Sequence, residues 1–293
     1  MKVGIVGLGL IGGSLGLDLR SNGFADQVIG ADLNEEHCQQ ALNFGLVDEI
    51  ADLPTLCRQA DIVVLAVPVK AMVSLFPKVL DQIQATAIVL DMGSTKKALA
   101  EAIRTHPKRS RAVLCHPMAG TEFSGPQAAV HNLFQGKAAI FCDKDLSDQD
   151  AVQRAERLFK SLFMRLLYMN SSDHDLHAAY VSHVSHISSF VLALTVLEKE
   201  KSEQNIFDLA SGGFASTVRL AKSSPRMWAD VYAQNADHLT DVLDSYLEKM
   251  KDFRDAIAAG DFDKTYQMME EANDIGRILN RQQKPRPALS GTS

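Results

Sequence analysis

The chain has 293 residues, 46% of them hydrophobic and 23% charged. That is ordinary globular composition, which excludes the disordered and collagenous classes, and at about 100–200 residues per domain it predicts two domains. A formal net charge of -6 argues against nucleic acid as a partner, while leaving room for a local basic pocket around a small anion.

From residue 1 to 169, short runs rich in Val, Ile and Leu alternate with helical patterns, the signature of βαβ units and of a parallel sheet buried on both faces. Strands are expected at 2–6, 27–31, 62–66, 87–91, 111–115, 138–142 and 164–168, with helices near 12–22, 35–44, 69–83, 96–103 and 148–162. After Asn170-Ser171-Ser172-Asp173 the period changes and the remainder reads as helical. Asp173 to about Glu203 carries a long apolar pattern, and Leu239, Val242, Leu243, Tyr246, Leu247, Met250, Phe253 and Ile257 recur at three- and four-residue steps along one face. Such a stripe needs covering, and a helical domain this small predicts a homodimer. The fold class expected is therefore an α/β Rossmann-type dinucleotide-binding domain over 1–169, followed by an all-α dimerisation and substrate domain over 170–281 and a disordered tail over 282–293.

Cys38, Cys57, Cys115 and Cys142 are too few and too scattered for a disulfide framework. No charged leader precedes the first glycine-rich segment, and the longest apolar run, 62–69, is far short of the ~20 residues of a membrane span. The reading is a soluble, cytoplasmic protein with reduced thiols and no membrane partner.

Gly7-Leu8-Gly9-Leu10-Ile11-Gly12 follows the first strand at once and opens a helix, the context in which G-x-G-x-x-G binds a dinucleotide. Gly7 permits the tight turn, Gly9 the approach of a pyrophosphate and Gly12 close helix packing, with the anion over the helix N-terminus near Leu10 and Ile11. Asp32, at the end of the second strand, is placed to accept hydrogen bonds from the adenosine ribose; Leu33 and Asn34 follow it rather than Arg, so NAD is favoured over NADP. Val67 and Pro68 close a later strand, either where the nicotinamide half reaches the sheet or simply as a strand end. A nicotinamide reaction then needs a proton acceptor. Of nine histidines, His116 stands out at the carboxyl end of a strand, where ligands bind in open α/β sheets, although such a histidine is also compatible with a surface or core role. His174, His177, His183 and His186 cluster without the acidic or thiolate ligand that would complete a metal motif, so no metal is expected. Asp173-His174-Asp175 reads as a helix cap with first-turn acids.

These segments together resemble the prephenate/arogenate dehydrogenase family. The resemblance rests on the Gly7–Gly12 loop, Asp91-Met92-Gly93-Ser94-Thr95-Lys96, His116-Pro117-Met118-Ala119-Gly120, Ser182-His183-Val184-Ser185-His186 and Val218-Arg219-Leu220-Ala221-Lys222-Ser223-Ser224-Pro225-Arg226-Met227-Trp228. Ser185 departs from the proline that many members carry, and no counterpart of the regulatory ACT domain is expected. The resemblance implies that His116 is the catalytic histidine, that Ser94 orients it and the nicotinamide, and that Arg219 holds a substrate carboxylate. It places His183 and His186 near the substrate. Ser94 could instead be a helix N-cap, Trp228 either pocket or core, and Glu122 either a substrate contact or a loop gate. The activity implied is NAD-dependent oxidative decarboxylation of prephenate to 4-hydroxyphenylpyruvate in tyrosine biosynthesis. Arogenate dehydrogenase is the alternative, and a non-catalytic NAD(H) sensor a more distant one. A β-hydroxyacid dehydrogenase would need a lysine where this chain has His183 and His186.

Overall fold

The computed structural model describes residues 1–203 and 205–283; of the stretch read as a tail, 284–293 lie outside the described residues. Two compact units divide the chain, one ending at Leu239 and one beginning at Thr240, so the change of period near 169 falls within the first.

The first unit is built on eight strands: β1 (Lys2–Val6), β2 (Gln27–Ala31), β3 (Glu49–Ile50), β4 (Ile62–Leu65), β5 (Ile88–Asp91), β6 (Ala112–Pro117), β7 (Ala138–Cys142) and β8 (Arg165–Met169). Their order in the sheet is β3-β2-β1-β4-β5-β6-β7-β8, with the switch point between β1 and β4 characteristic of the doubly wound fold. Side chains alternate between two cores: Ile62, Val64, Ile88, Leu90, Val113 and Cys115 face one, and Val63, Leu65, Val89, Ala112 and Leu114 the other. In the central strands β1, β2, β4, β5 and β6 both faces are buried, which is why they read as unbroken apolar runs, whereas the edge strand β8 is largely exposed. One expectation is corrected: β7 pairs antiparallel with β6 and β8 runs parallel to β7, so the sheet is mixed at that edge. Helices α1 (Leu10–Ser21), α2 (Glu35–Asn43), α3 (Leu53–Gln59), α4 (Val69–Gln82), α5 (Lys97–Ile103) and α6 (Gln149–Ser161) cross between strands.

After β8 the chain forms α7 (Ser171–Ala178), a π turn (Ala179–His183) and α8 (Val184–Glu200). Together they make a 30-residue helical rod, long and apolar enough by length and composition alone to cross a membrane, its most apolar 18-residue stretch having a mean hydropathy of 1.4. No unbroken apolar run marks it in the sequence, because His174, Asp175, His183 and His186 interrupt it. The rod buries these polar groups wholly or in part, whereas Val191, Leu194 and Leu197 are exposed. The short α9 (Gly212–Thr217) and then α10 (Pro225–Gln234) complete the unit, and α11 (Ala236–Ala259) runs on into the second, which continues with α12 (Phe262–Ala272) and α13 (Asp274–Gln283).

Candidate active site

At the β1–α1 turn the sequence dictates an anion cradle. Gly7 has φ +95, a left-handed conformation that favours glycine, and a side chain there would strike the Ala66 carbonyl and Val67. A Cβ on Gly12 would collide with the Gly7 carbonyl oxygen, whereas one on Gly9 would meet nothing within 4 Å. Helix α1 starts without a side-chain cap or an early acid, so the amides around Leu10 and Ile11 and the positive end of the helix face that open space. Asp32 is held by the backbone, its Oδ2 accepting from Leu8 N at 2.8 Å and its Oδ1 from Asn34 N at 2.9 Å, with His37 Nδ1 3.6 Å from Oδ2. Pro68 occupies the N-cap position of α4, beside Val67. The residues present fit a dinucleotide.

At the carboxyl end of β6, His116 is 8% exposed. Its Nδ1 lies 2.8 Å from His174 Nε2, and His174 Nδ1 lies 2.7 Å from Asp175 Oδ1. The Asp175 carboxylate also accepts from Lys96 N at 2.7 Å and Lys97 N at 2.9 Å, which satisfies amides at the start of α5 that a cap residue would otherwise serve. The alternative reading of Ser94 as a helix cap is not met, since the N-cap position of α5 is Lys96; of the cap and first-turn acids read at 173–175, Asp173 is a first-turn acid of α7, but the cap is Asn170, which accepts from Asp173 N, and His174 and Asp175 turn inward. Beneath them Asp91 and Lys96 form a fully buried ion pair, and Asp91 accepts from Cys115 N at 2.9 Å and Gly93 N at 3.0 Å.

Asn235 ties α10 to this centre, its Nδ2 donating to the Asp175 carbonyl at 2.7 Å and to His183 Nδ1 at 3.1 Å, so the proton of a neutral His183 sits on Nε2. Burial dominates the basicity of the cluster. It pushes His116 well below its ordinary 6.5, helped by His174, Lys96 and His183, lowers His174, takes His183 down to about 4 and lowers His186, to which Arg219 adds. Against burial, which raises it, the His174 hydrogen bond and the two α5 amides hold the Asp175 carboxyl below its usual range.

His186 donates from Nδ1 to the Ser182 carbonyl at 2.9 Å and lies over Trp228, ring centroids 3.7 Å apart; His183 meets the same indole edge-on at 5.8 Å. Trp228 is buried against Val69, Val231, Phe190 and Tyr232, and among the described residues its Nε1 has no hydrogen-bond partner. Arg219, half-exposed, pairs with Glu122 Oε2 at 3.3 Å. Thus His116, His183, His186, Trp228, Arg219 and Glu122 form a chain of neighbours, while the hydrogen bond at His116 Nδ1 goes to His174 and not to Ser94. Among the described residues, no group of three or more His, Cys, Asp or Glu is gathered so as to hold a metal ion. The roles of His174, Asp175 and Asn235 were missed because their contacts span 58, 79 and 60 positions in sequence; the one local hint was a His-Asp pair beside the other histidines.

Comparison with known proteins agrees with this architecture. A family model described as the prephenate dehydrogenase nucleotide-binding domain matches residues 15–168, and one for the prephenate dehydrogenase dimerization domain matches residues 170–271. The prephenate dehydrogenase of Bacillus subtilis (strain 168) is 30% identical over 96% of this chain and 76% of its own length. The structure of A. aeolicus prephenate dehydrogenase with hydroxyphenyl propionate and NAD+ superposes with a TM-score of 0.85 at 28% identity, covering 95% of this chain and 98% of that one. Synechocystis arogenate dehydrogenase superposes with a TM-score of 0.75 at 27% identity, covering 95% and 100%. The chain is a member of the prephenate dehydrogenase family.

Proposed function

We propose that the protein is an NAD-dependent prephenate dehydrogenase, converting prephenate to 4-hydroxyphenylpyruvate and CO2. The observation that carries this reading is His116 buried at the carboxyl end of the sheet, its basicity lowered by that burial, in a region where His183 and His186 meet Trp228 and Arg219 pairs with Glu122. Bound NAD supplies the acceptor for the hydride that leaves C4 of the ring. His116 takes the proton of the C4 hydroxyl, and the electron pair left on oxygen becomes the carbonyl bond. Scission of the bond to the ring carboxylate then releases CO2, and its electrons aromatise the ring and pass through the carbonyl to the C4 oxygen, which takes the proton back from His116 to give the phenol, so that no net proton is released. Prephenate is a dianion; Arg219 offers a planar fork for one carboxylate, with Lys222 nearby in sequence, and Glu122 would yield that partner when substrate enters. Trp228 Nε1, buried and without a partner among the described residues, is a donor that a substrate oxygen could meet. A 2′-phosphate would face the Asp32 carboxylate, which favours NAD over NADP.

The exposed apolar side chains Val191, Leu194 and Leu197 on α8, and Leu247, Met250 and Ile257 on α11, support a homodimer through the helical region. Four free cysteines are in keeping with a cytoplasmic setting. Arogenate, with an amine in place of the side-chain ketone, is the second reading, and the likeness to Synechocystis arogenate dehydrogenase favours keeping it. Assays of both substrates with NAD and NADP decide: NADH and CO2 form with prephenate, and negligible NADH from prephenate overturns the proposal.

A further inference from the structure

The hydrogen bonds behind His116 have a direction imposed by the chemistry of their far end. A carboxylate only accepts, so at 2.7 Å from Asp175 Oδ1 it is His174 Nδ1 that carries a proton. The α5 amides donating to both Asp175 oxygens keep that carboxylate ionised and fixed. Burial keeps the His174 ring neutral, and a neutral ring protonated at Nδ1 has its lone pair on Nε2. At 2.8 Å that lone pair faces His116 Nδ1, which must therefore donate. His116, neutral as well, is left with its own lone pair on Nε2.

Resting on the reading of this site as a dehydrogenase, we propose that His174 and Asp175 are positioning residues that hold His116 in the Nδ1–H tautomer, making Nε2 the atom that takes the substrate's hydroxyl proton. In the step itself the O–H bond breaks, an Nε2–H bond forms, and the oxygen's pair becomes the carbonyl bond as the ring C–H pair departs as hydride. The positive charge that develops on His116 meets the His174 lone pair, with the Asp175 carboxylate behind it. The other charged groups at this centre do not change the direction: Lys96 Nζ is engaged by Asp91, and His183 Nδ1 accepts from Asn235. Were the relay reversed, His174 would donate from Nε2 and His116 would carry its proton on Nε2, where it blocks the transfer.

Histidine-selective 15N labelling reads this state without substrate, the His116 signals being those lost in His116→Asn. The expected wild-type pattern at neutral pH is a protonated Nδ1 and a bare Nε2. In Asp175→Asn, whose amide can donate to His174 Nδ1, that pattern shifts toward the opposite tautomer. In turnover, Asp175→Asn and His174→Phe lose kcat by roughly 10²–10⁴, with KM for prephenate and for NAD within about threefold of wild type. His174→Gln, whose amide oxygen accepts from His116, recovers about tenfold or more over His174→Phe. A wild-type His116 protonated on Nε2 overturns the proposal even with prephenate turnover intact, and so does full kcat in His174→Phe. If neither prephenate nor arogenate is turned over, the dehydrogenase reading falls instead, and the labelling still decides the tautomer.

Discussion

At His116 the demand of the proposed catalysis and a structural cost meet in one side chain. A base must be unprotonated to act, and burial together with His174, Lys96 and His183 holds this one well below 6.5; competence is therefore kept as pH falls and lost only below that range. The profile of kcat/KM for prephenate is expected to stay level from neutral pH through 6.5 and to drop on the acid side of it, whereas a drop centred near 6.5 would mean a solvated histidine. Replacing His116 with Asn should lower kcat by roughly 10²–10⁴ while NAD binding, followed by fluorescence quenching, is kept. Arg219→Gln should act differently, raising KM for prephenate by roughly tenfold or more with a smaller effect on kcat, because it removes a charge-assisted contact. His116 and Arg219 were legible in the sequence because each sits in a distinctive local run. His174 was not: within Asp173-His174-Asp175 it looks like part of a helix cap, and only the fold brings it within 2.8 Å of His116.

Among the elements, the strands were legible to within a residue or two because burial on both faces demands continuous apolar runs. Three features were not. Strand β3 has two residues, Glu49 and Ile50, too short to carry a period. Helix α3, with Pro54 in its first turn, was missed for the same reason, and the reversal of β7 is invisible because an apolar run has no direction. The glycine turn, by contrast, can be dissected one methyl at a time. Gly12→Ala drives a methyl into the Gly7 carbonyl and should destabilise the fold by about 1–3 kcal/mol, measured by urea denaturation without cofactor. Gly9→Ala points into open space, so it should fold with wild-type stability and yet weaken NAD binding by roughly tenfold or more, as titration would show. Equal NAD affinity in Gly9→Ala would mean that the pyrophosphate does not lie there.

For the whole molecule, the histidine cluster makes stability depend on acidity. His183 is lowered to about 4 in the fold from an ordinary 6.5, so between those values the unfolded chain binds more protons and stability falls as pH falls. Urea midpoints should decline through that window, and less steeply in His183→Gln. Assembly is tested at Leu194, an exposed residue of α8: Leu194→Glu should leave helical content intact but halve the mass seen by light scattering, unless dimerisation uses another face. The π turn between α7 and α8 has a reach of its own. In a regular α-helix the nine steps from His174 to His183, at ~100° each, would put the two on opposite sides; the π turn absorbs a residue, and both are about 1% exposed. The rod is thus a text with a reading frame. Losing one residue within Ala179–His183 would not shorten a spacer but slip the frame, swinging His183, His186 and every side chain beyond them about a quarter of the way round the axis. Insertions and deletions there should be purged wherever the reaction is kept, even while the loops on either side change length freely.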